Sequence, residues 1–129
     1  MKKLKVAFAT DDGKSFMSRH FGDAEHYYIY EIDNNKANFI KNIDNNTEEE
    51  EIHADPKKAK GIANLLSEEN VTVVVSKVFG PNIKRIKKNF VCIVVKKEKL
   101  EKSINNICNN IEIIINEWKK GTERNHLSF

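Results

Sequence analysis

Residues 4–24 read LKVAFATDDGKSFMSRHFGDA, a run suited to a buried strand passing without a spacer into a polar loop. The strand portion, 4–10, carries one charge, Lys5 near its start, and Val6-Ala7-Phe8-Ala9 shows no polar alternation. A strand of this kind is covered on both faces, which places it centrally in a sheet flanked by helices. The loop, 11–24, has paired aspartates and two glycines, the composition of irregular backbone. Within it Arg19 is a fixed cation, His20 a titratable imidazole able to bind metal, and Phe21 an apolar anchor toward the core. Loops on a rigid scaffold carry function more often than cores do. This loop is therefore the first candidate site, against the competing reading of an ordered loop whose His20 only bonds its neighbours.

Outward from this stretch, 26–32 (HYYIYEI) and 37–43 (ANFIKNI) are strand-like and joined by the turn residues Asp33-Asn34-Asn35-Lys36, which makes a hairpin. The second arm alternates weakly and is polar, as suits an outermost strand. Residues 44–55 form an acidic loop with the run Glu48-Glu49-Glu50-Glu51 and then His53. Asp55-Pro56 opens a helix whose apolar face is Ala59, Ile62, Ala63 and Leu66, up to a stop at 68–70. VTVVV (71–75) and FVCIVV (90–95) are two further buried strands. Between them Gly80-Pro81 opens a short helix with Ile83 and Ile86 inward. Its cations Lys84, Arg85, Lys87 and Lys88 read as a solvated face, since no aromatics interleave with them as in nucleic-acid sites. From 97 one long amphipathic helix is expected, with Leu100, Ile104, Ile107, Cys108, Ile111, Ile114, Ile115 and Trp118 on its stripe and Gly121 as the stop. One domain, 1–121, is expected, with 122–129 a loose tail.

This order gives an α/β fold with a five-stranded mixed sheet, 3-2-1-4-5, in which only the second strand is antiparallel. The connections out of strand 1 and into strand 4 lie on opposite sides of the sheet, so a topological switch point falls between them. Open α/β sheets bind ligands there. Residues 11–24, 44–55 and 76–82 share that edge, where His20 and His53 converge as candidate metal ligands, with Lys14, Arg19 and Lys77 around them.

At 129 residues, 40% hydrophobic and 32% charged, the chain can bury a core without disulfides. It lacks the run of about 18 apolar residues that a membrane span requires. The N-terminus has no signal-peptide pattern, so a cytoplasmic location is expected. Cys92 and Cys108 fall in apolar patterns and read as buried, inert thiols. A net charge of +3 is too small to argue for nucleic acid. Gly13-Lys14-Ser15 is not a phosphate loop, because Phe8 stands where that motif needs glycine. The central strands carry no acids to hold two nuclease metals, and no nucleophile–histidine arrangement stands out, so no enzymatic activity is expected.

The run LKVAFATDDGKSFMSRHFGDAEHYYIYEID, with Ser18, His20, Phe21, Gly22 and Ala24 at its core, resembles the dinitrogenase iron-molybdenum cofactor biosynthesis family, the NifX, NifY and C-terminal NifB type of domain. The similarity continues through VTVVVSKVFGPNIKRIKK to about residue 115. It implies a ribonuclease H-like three-layer fold. It also implies a non-enzymatic carrier that transiently binds an iron-sulfur or iron-molybdenum type cofactor or its precursor and exchanges it with donor and acceptor proteins. The resemblance singles out His20, Phe21 and Gly22; with Arg19, Lys77 and Gly80 of the same sheet edge they are the cofactor-binding candidates, and His20 and His53 are the candidate metal ligands. The acidic loop departs from the family by offering His53 without a cysteine or a glycine-histidine cluster. Soft clusters favour thiolates, so a cluster here would rest on imidazoles and backbone amides. The alternative is a small-anion or nucleotide-binding regulatory module at the same edge, using Arg19 and the helix start at Gly80-Pro81; a plain interaction domain is a third reading. Neither nucleic acid nor membrane is expected as a partner, and the chain is expected to be a monomer or weak homo-oligomer.

Overall fold

A computed structural model describes residues 3–45, 56–96 and 99–129. Strands β1 (Lys3–Thr10), β2 (His26–Asp33), β3 (Lys36–Asp44), β4 (Val73–Ser76), β5 (Val91–Val94) and β6 (Leu127–Ser128) form one mixed sheet, ordered β3-β2-β1-β4-β5-β6. β2 runs antiparallel to both neighbours and the other pairings are parallel, as the element order requires. The hairpin between β2 and β3 closes through Asn34 and Asn35 at φ 50° and 69°. Two successive left-handed residues match the right-handed twist of the strands they join, and asparagine tolerates that conformation.

Successive side chains of a strand point to opposite faces, so the unalternating apolar runs supply two cores at once. Val6, Phe8, Val73, Val75 and Ile93 face helices α3 (Leu100–Cys108) and α4 (Ile111–Trp118). Ala7, Ala9, Val74 and Cys92 face α1 (Pro56–Ser67) and the single-turn α2 (Ile83–Ile86). Each fully buried Val, Ile or Phe contributes about 1.5–3 kcal/mol, and β1 from Val6 onward, β4 and β5 up to Ile93 are buried because helices cover both sides. α1 stops where Asn70 turns left-handed at φ 62° and the Val71 amide donates back to the Leu66 carbonyl. No helix among the described residues is long and apolar enough to cross a membrane.

Two expectations are corrected. The sheet has six strands, not five, because the end of the expected tail docks on it. Leu127 pairs with Ile93, and the Phe129 amide donates to the Val94 carbonyl at 3.0 Å. Upstream, the buried Arg124 guanidinium lies 4.1 Å from the Trp118 ring centroid and donates to the carbonyls of Trp118 and Lys88. The expected single final helix is two, broken at Asn109-Asn110. The Asn110 side-chain amide donates to the Asn106 carbonyl at 2.7 Å, and its backbone leaves the helical region at φ −127°, ψ 26°. Asparagine side chains compete with the backbone in this way. The apolar stripe survives the break because Ile107, Ile111 and Ile114 are buried on both sides of it.

Candidate functional site

The loop after β1 is fixed by its aspartates. The Asp12 carboxylate accepts from the Lys14 and Ser15 amides at 2.8 and 2.9 Å, while Thr10 Oγ1 donates to the Ser15 carbonyl at 2.6 Å. Asp11 receives Arg19 in a two-pronged pair, at 2.8 and 2.9 Å, and the Glu25 amide at 3.0 Å. The Arg19 guanidinium holds the Asp11 carboxyl below its ordinary value against a smaller opposing effect of burial. The backbone amides of Lys14 and Ser15 do the same for Asp12. An exposed pair like Arg19–Asp11 contributes little to global stability, but its planar geometry sets the path of the chain into His20.

Past that pair the chain plunges into the core. Phe21 is fully buried between Phe79 and Tyr27, with ring centroids 5.1 and 5.0 Å away. Its amide donates to the Val78 carbonyl at 2.8 Å, which also accepts from the buried Ser76 hydroxyl at 3.1 Å. Tyr27 Oη donates to the Phe21 carbonyl, and Asn45, just after β3, donates to the carbonyls of Gly22 and Ala24. The ends of β1, β3 and β4 are thereby tied together at the switch point.

His20 stands one residue before this anchor, half-buried, over the backbone of Gly80. A Cβ at Gly80 would lie 2.5 Å from His20 Nδ1, and Gly80 has φ +74°. Both space and backbone therefore demand glycine there. A narrow cleft beside the imidazole is lined by Gly22, Lys58, Ile62, Phe79, Pro81 and Asn82, among others. Lys58 is only 7% exposed, and its stem lies about 3.5 Å from where a Gly22 Cβ would be. Among the described residues no carboxylate forms an ion pair with it. This cation beside His20 was not singled out from the sequence, although it is one turn before Ile62 and so shares the inward face of α1.

Of the candidate residues, His20, Gly22 and Gly80 meet at the cleft. Phe21 is wholly interior and acts as the anchor. Arg19 is turned to Asp11 and to the Asp23 carbonyl, 3.0 Å away. Lys77 sits at the end of β4, half-buried, two residues before Phe79. His53 lies outside the described residues. Cys92 is fully buried, and burial pushes its thiol up to about 12; burial also raises Cys108, 8% exposed. Among the described residues no three His, Cys, Asp or Glu side chains group as a metal site. The site therefore offers one imidazole, a buried lysine and a glycine-lined floor.

Residues 2–111 match the family model described as dinitrogenase iron-molybdenum cofactor. No curated protein matches the chain. Among solved structures it is similar to the 1.70 Å crystal structure of a dinitrogenase-like protein from Methanocaldococcus jannaschii, with 24% identity, a TM-score of 0.63, and 85% of this chain and 92% of the other covered. An NMR structure of the same protein gives 23% identity and a TM-score of 0.64, covering 85% and 91%. At these identities the structures speak to the fold, whereas the family match spans the β1 loop, His20, Lys58 and Gly80 together. The chain belongs to the dinitrogenase iron-molybdenum cofactor family.

Proposed function

We propose that the chain is a non-enzymatic carrier that receives an iron-molybdenum type cofactor, or an iron-sulfur precursor of it, from one protein and passes it to another. The observation that carries this reading is the half-buried His20 imidazole, held over Gly80 at the switch point inside the family-matched region. A cargo that must leave again is best held by few protein ligands. One imidazole can ligate iron, and Lys58 can offset the charge of an anionic cluster. A resident iron-sulfur centre would instead call for several thiolates, and both cysteines are buried in the core. The cleft is narrow, which suits a cluster resting against the surface by one face. An anion or nucleotide module is less well supplied, because Asp11 engages Arg19 and α2 is a single turn whose Ile83, Arg85 and Ile86 amides already donate to the Gly80 and Asn82 carbonyls.

Anaerobic gel filtration of the protein mixed with extracted iron-molybdenum cofactor tests the reading. Co-elution of iron and molybdenum with the parent, and their loss in His20→Ala with the circular dichroism spectrum intact, is the expected result. Equal metal retention by the two proteins would sink His20 as the ligand.

A further inference from the structure

The charge of this chain is segregated. Residues 56–90 hold eight lysines and arginines against two acids, while the rest of the chain holds 14 against 17. The excess has a place in the fold, because α1 and α2 run side by side over one face of the sheet. Between them lies an open groove of about 320 Å³ lined by Ala59, Lys60, Ala63, Asn64, Arg85, Lys88 and Asn89. No acid lines it. Lys60 and Lys88 are exposed on opposite walls, with the small side chains of Ala59 and Ala63 between them. Arg85 on the α2 wall is oriented by a hydrogen bond from its guanidinium to Asn82 Oδ1 at 3.0 Å. Ala59 lines both this groove and the His20 cleft, so the two are contiguous.

We propose that this groove is the docking surface for a partner protein, which enters it with an acidic, glutamate- or aspartate-rich segment. Opposite potentials steer such encounters and fix the register of the partner, with effects mainly on association rate and specificity. Carboxylates fit the lysines on both walls, and the asparagines can bond the backbone of an extended segment. Nucleic acid fits less well, because Phe79 and Phe90, the aromatics of this region, are buried and leave no base a stacking surface. A membrane fits less well too, for the groove has no exposed large apolar side chain to insert beside its cations. The docking does not depend on what the His20 cleft carries. If the carrier reading holds, a partner seated here lies against the cargo.

The test measures fluorescence anisotropy of a labelled polyglutamate peptide, with single-stranded DNA of matched charge and phosphatidylserine vesicles as rival probes. The parent is expected to bind polyglutamate more tightly than either rival, and more weakly as salt rises. Lys60→Glu/Lys88→Glu should weaken that binding at least about tenfold, with an unchanged circular dichroism spectrum and undiminished metal retention at His20. Lys14→Glu/Lys99→Glu, away from the groove, should leave it within about twofold. Tighter binding of DNA or vesicles through Lys60 and Lys88 would reassign the surface and overturn the proposal. So would equal losses in the two double variants. If the parent binds polyglutamate only after Glu48–Glu51 are changed to glutamine, the groove belongs to the chain's own acidic run and the proposal fails. Loss of metal retention alone, through His20→Ala, would bear on the carrier reading and leave the groove standing.

Discussion

At the scale of single residues, Gly80 has the sharpest role. Its φ of +74° and the His20 ring above it both resist a side chain, so Gly80→Ala should cost about 1–3 kcal/mol in urea unfolding. The same change should weaken cofactor retention with His20 itself unaltered, since the ring must move. A variant as stable as the parent would show that the floor is not as tight as the geometry requires. Asp11 gives a pH dependence whose sign is fixed by its lowered carboxyl. A group depressed in the folded state stabilises it above the unfolded carboxylate value of about 3.9, and that contribution is lost as pH falls through the lower folded value. Asp11→Asn should therefore flatten the fall of melting temperature on the acid side, slightly, because the pair is largely exposed. An acid limb identical to the parent's would refute that. His20 and Gly80 were both legible in the sequence as members of loops meeting on one edge. Their stacking was not, because it depends on a left-handed glycine that the sequence alone marks only as a turn. Lys58 was missed because lysine on a helix reads as solvent-facing, and here the approach of the Gly22 loop covers it.

At the scale of elements, the strand runs were readable because burial on both faces leaves no alternation, and β1, β4 and β5 lie within a residue or two of the ranges expected. The final helix was misread as continuous: its apolar period carries through Asn109-Asn110, and what breaks it is a local side-chain bond that periodicity does not register. β6 was invisible for a related reason. Leu127 and Phe129 are too short an alternation to declare a strand, and its docking depends on Arg124, which lies between the Trp118 ring and the carbonyls of Trp118 and Lys88. Arg124→Ala should cost about 2–4 kcal/mol by removing the cation–π contact and leaving those carbonyls without their partner. Hydrogen exchange should speed up at the Phe129 amide, which bonds across the β5 edge. Unchanged stability together with unchanged protection would mean that β6 holds without it. The buried thiols belong at this scale as well: neither Cys92 nor Cys108 should react with a thiol reagent in the native protein near pH 8, whereas both should in denaturant. Rapid native labelling would place one of them outside the core that its strand or helix requires.

At the scale of the whole molecule, one sheet places two surfaces side by side, an imidazole cleft at the switch point and a basic groove between the helices that cover it. The order of elements dictated the first, because a hairpin followed by crossovers leaves only one place where loops diverge to opposite faces. The second came from the distribution of charge, which a net of +3 conceals. The central claim is that His20 is the point at which an iron-containing cargo attaches. The most direct measurement is the iron and molybdenum retained per protein after anaerobic loading and gel filtration, made in parallel on the parent, His20→Ala and His126→Ala, a histidine near β6 and remote in sequence from the cleft-forming loops. Retention in the parent and in His126→Ala, with most of it lost in a folded His20→Ala, is the result predicted. Retention that is the same in all three, or absent from the parent, would contradict it.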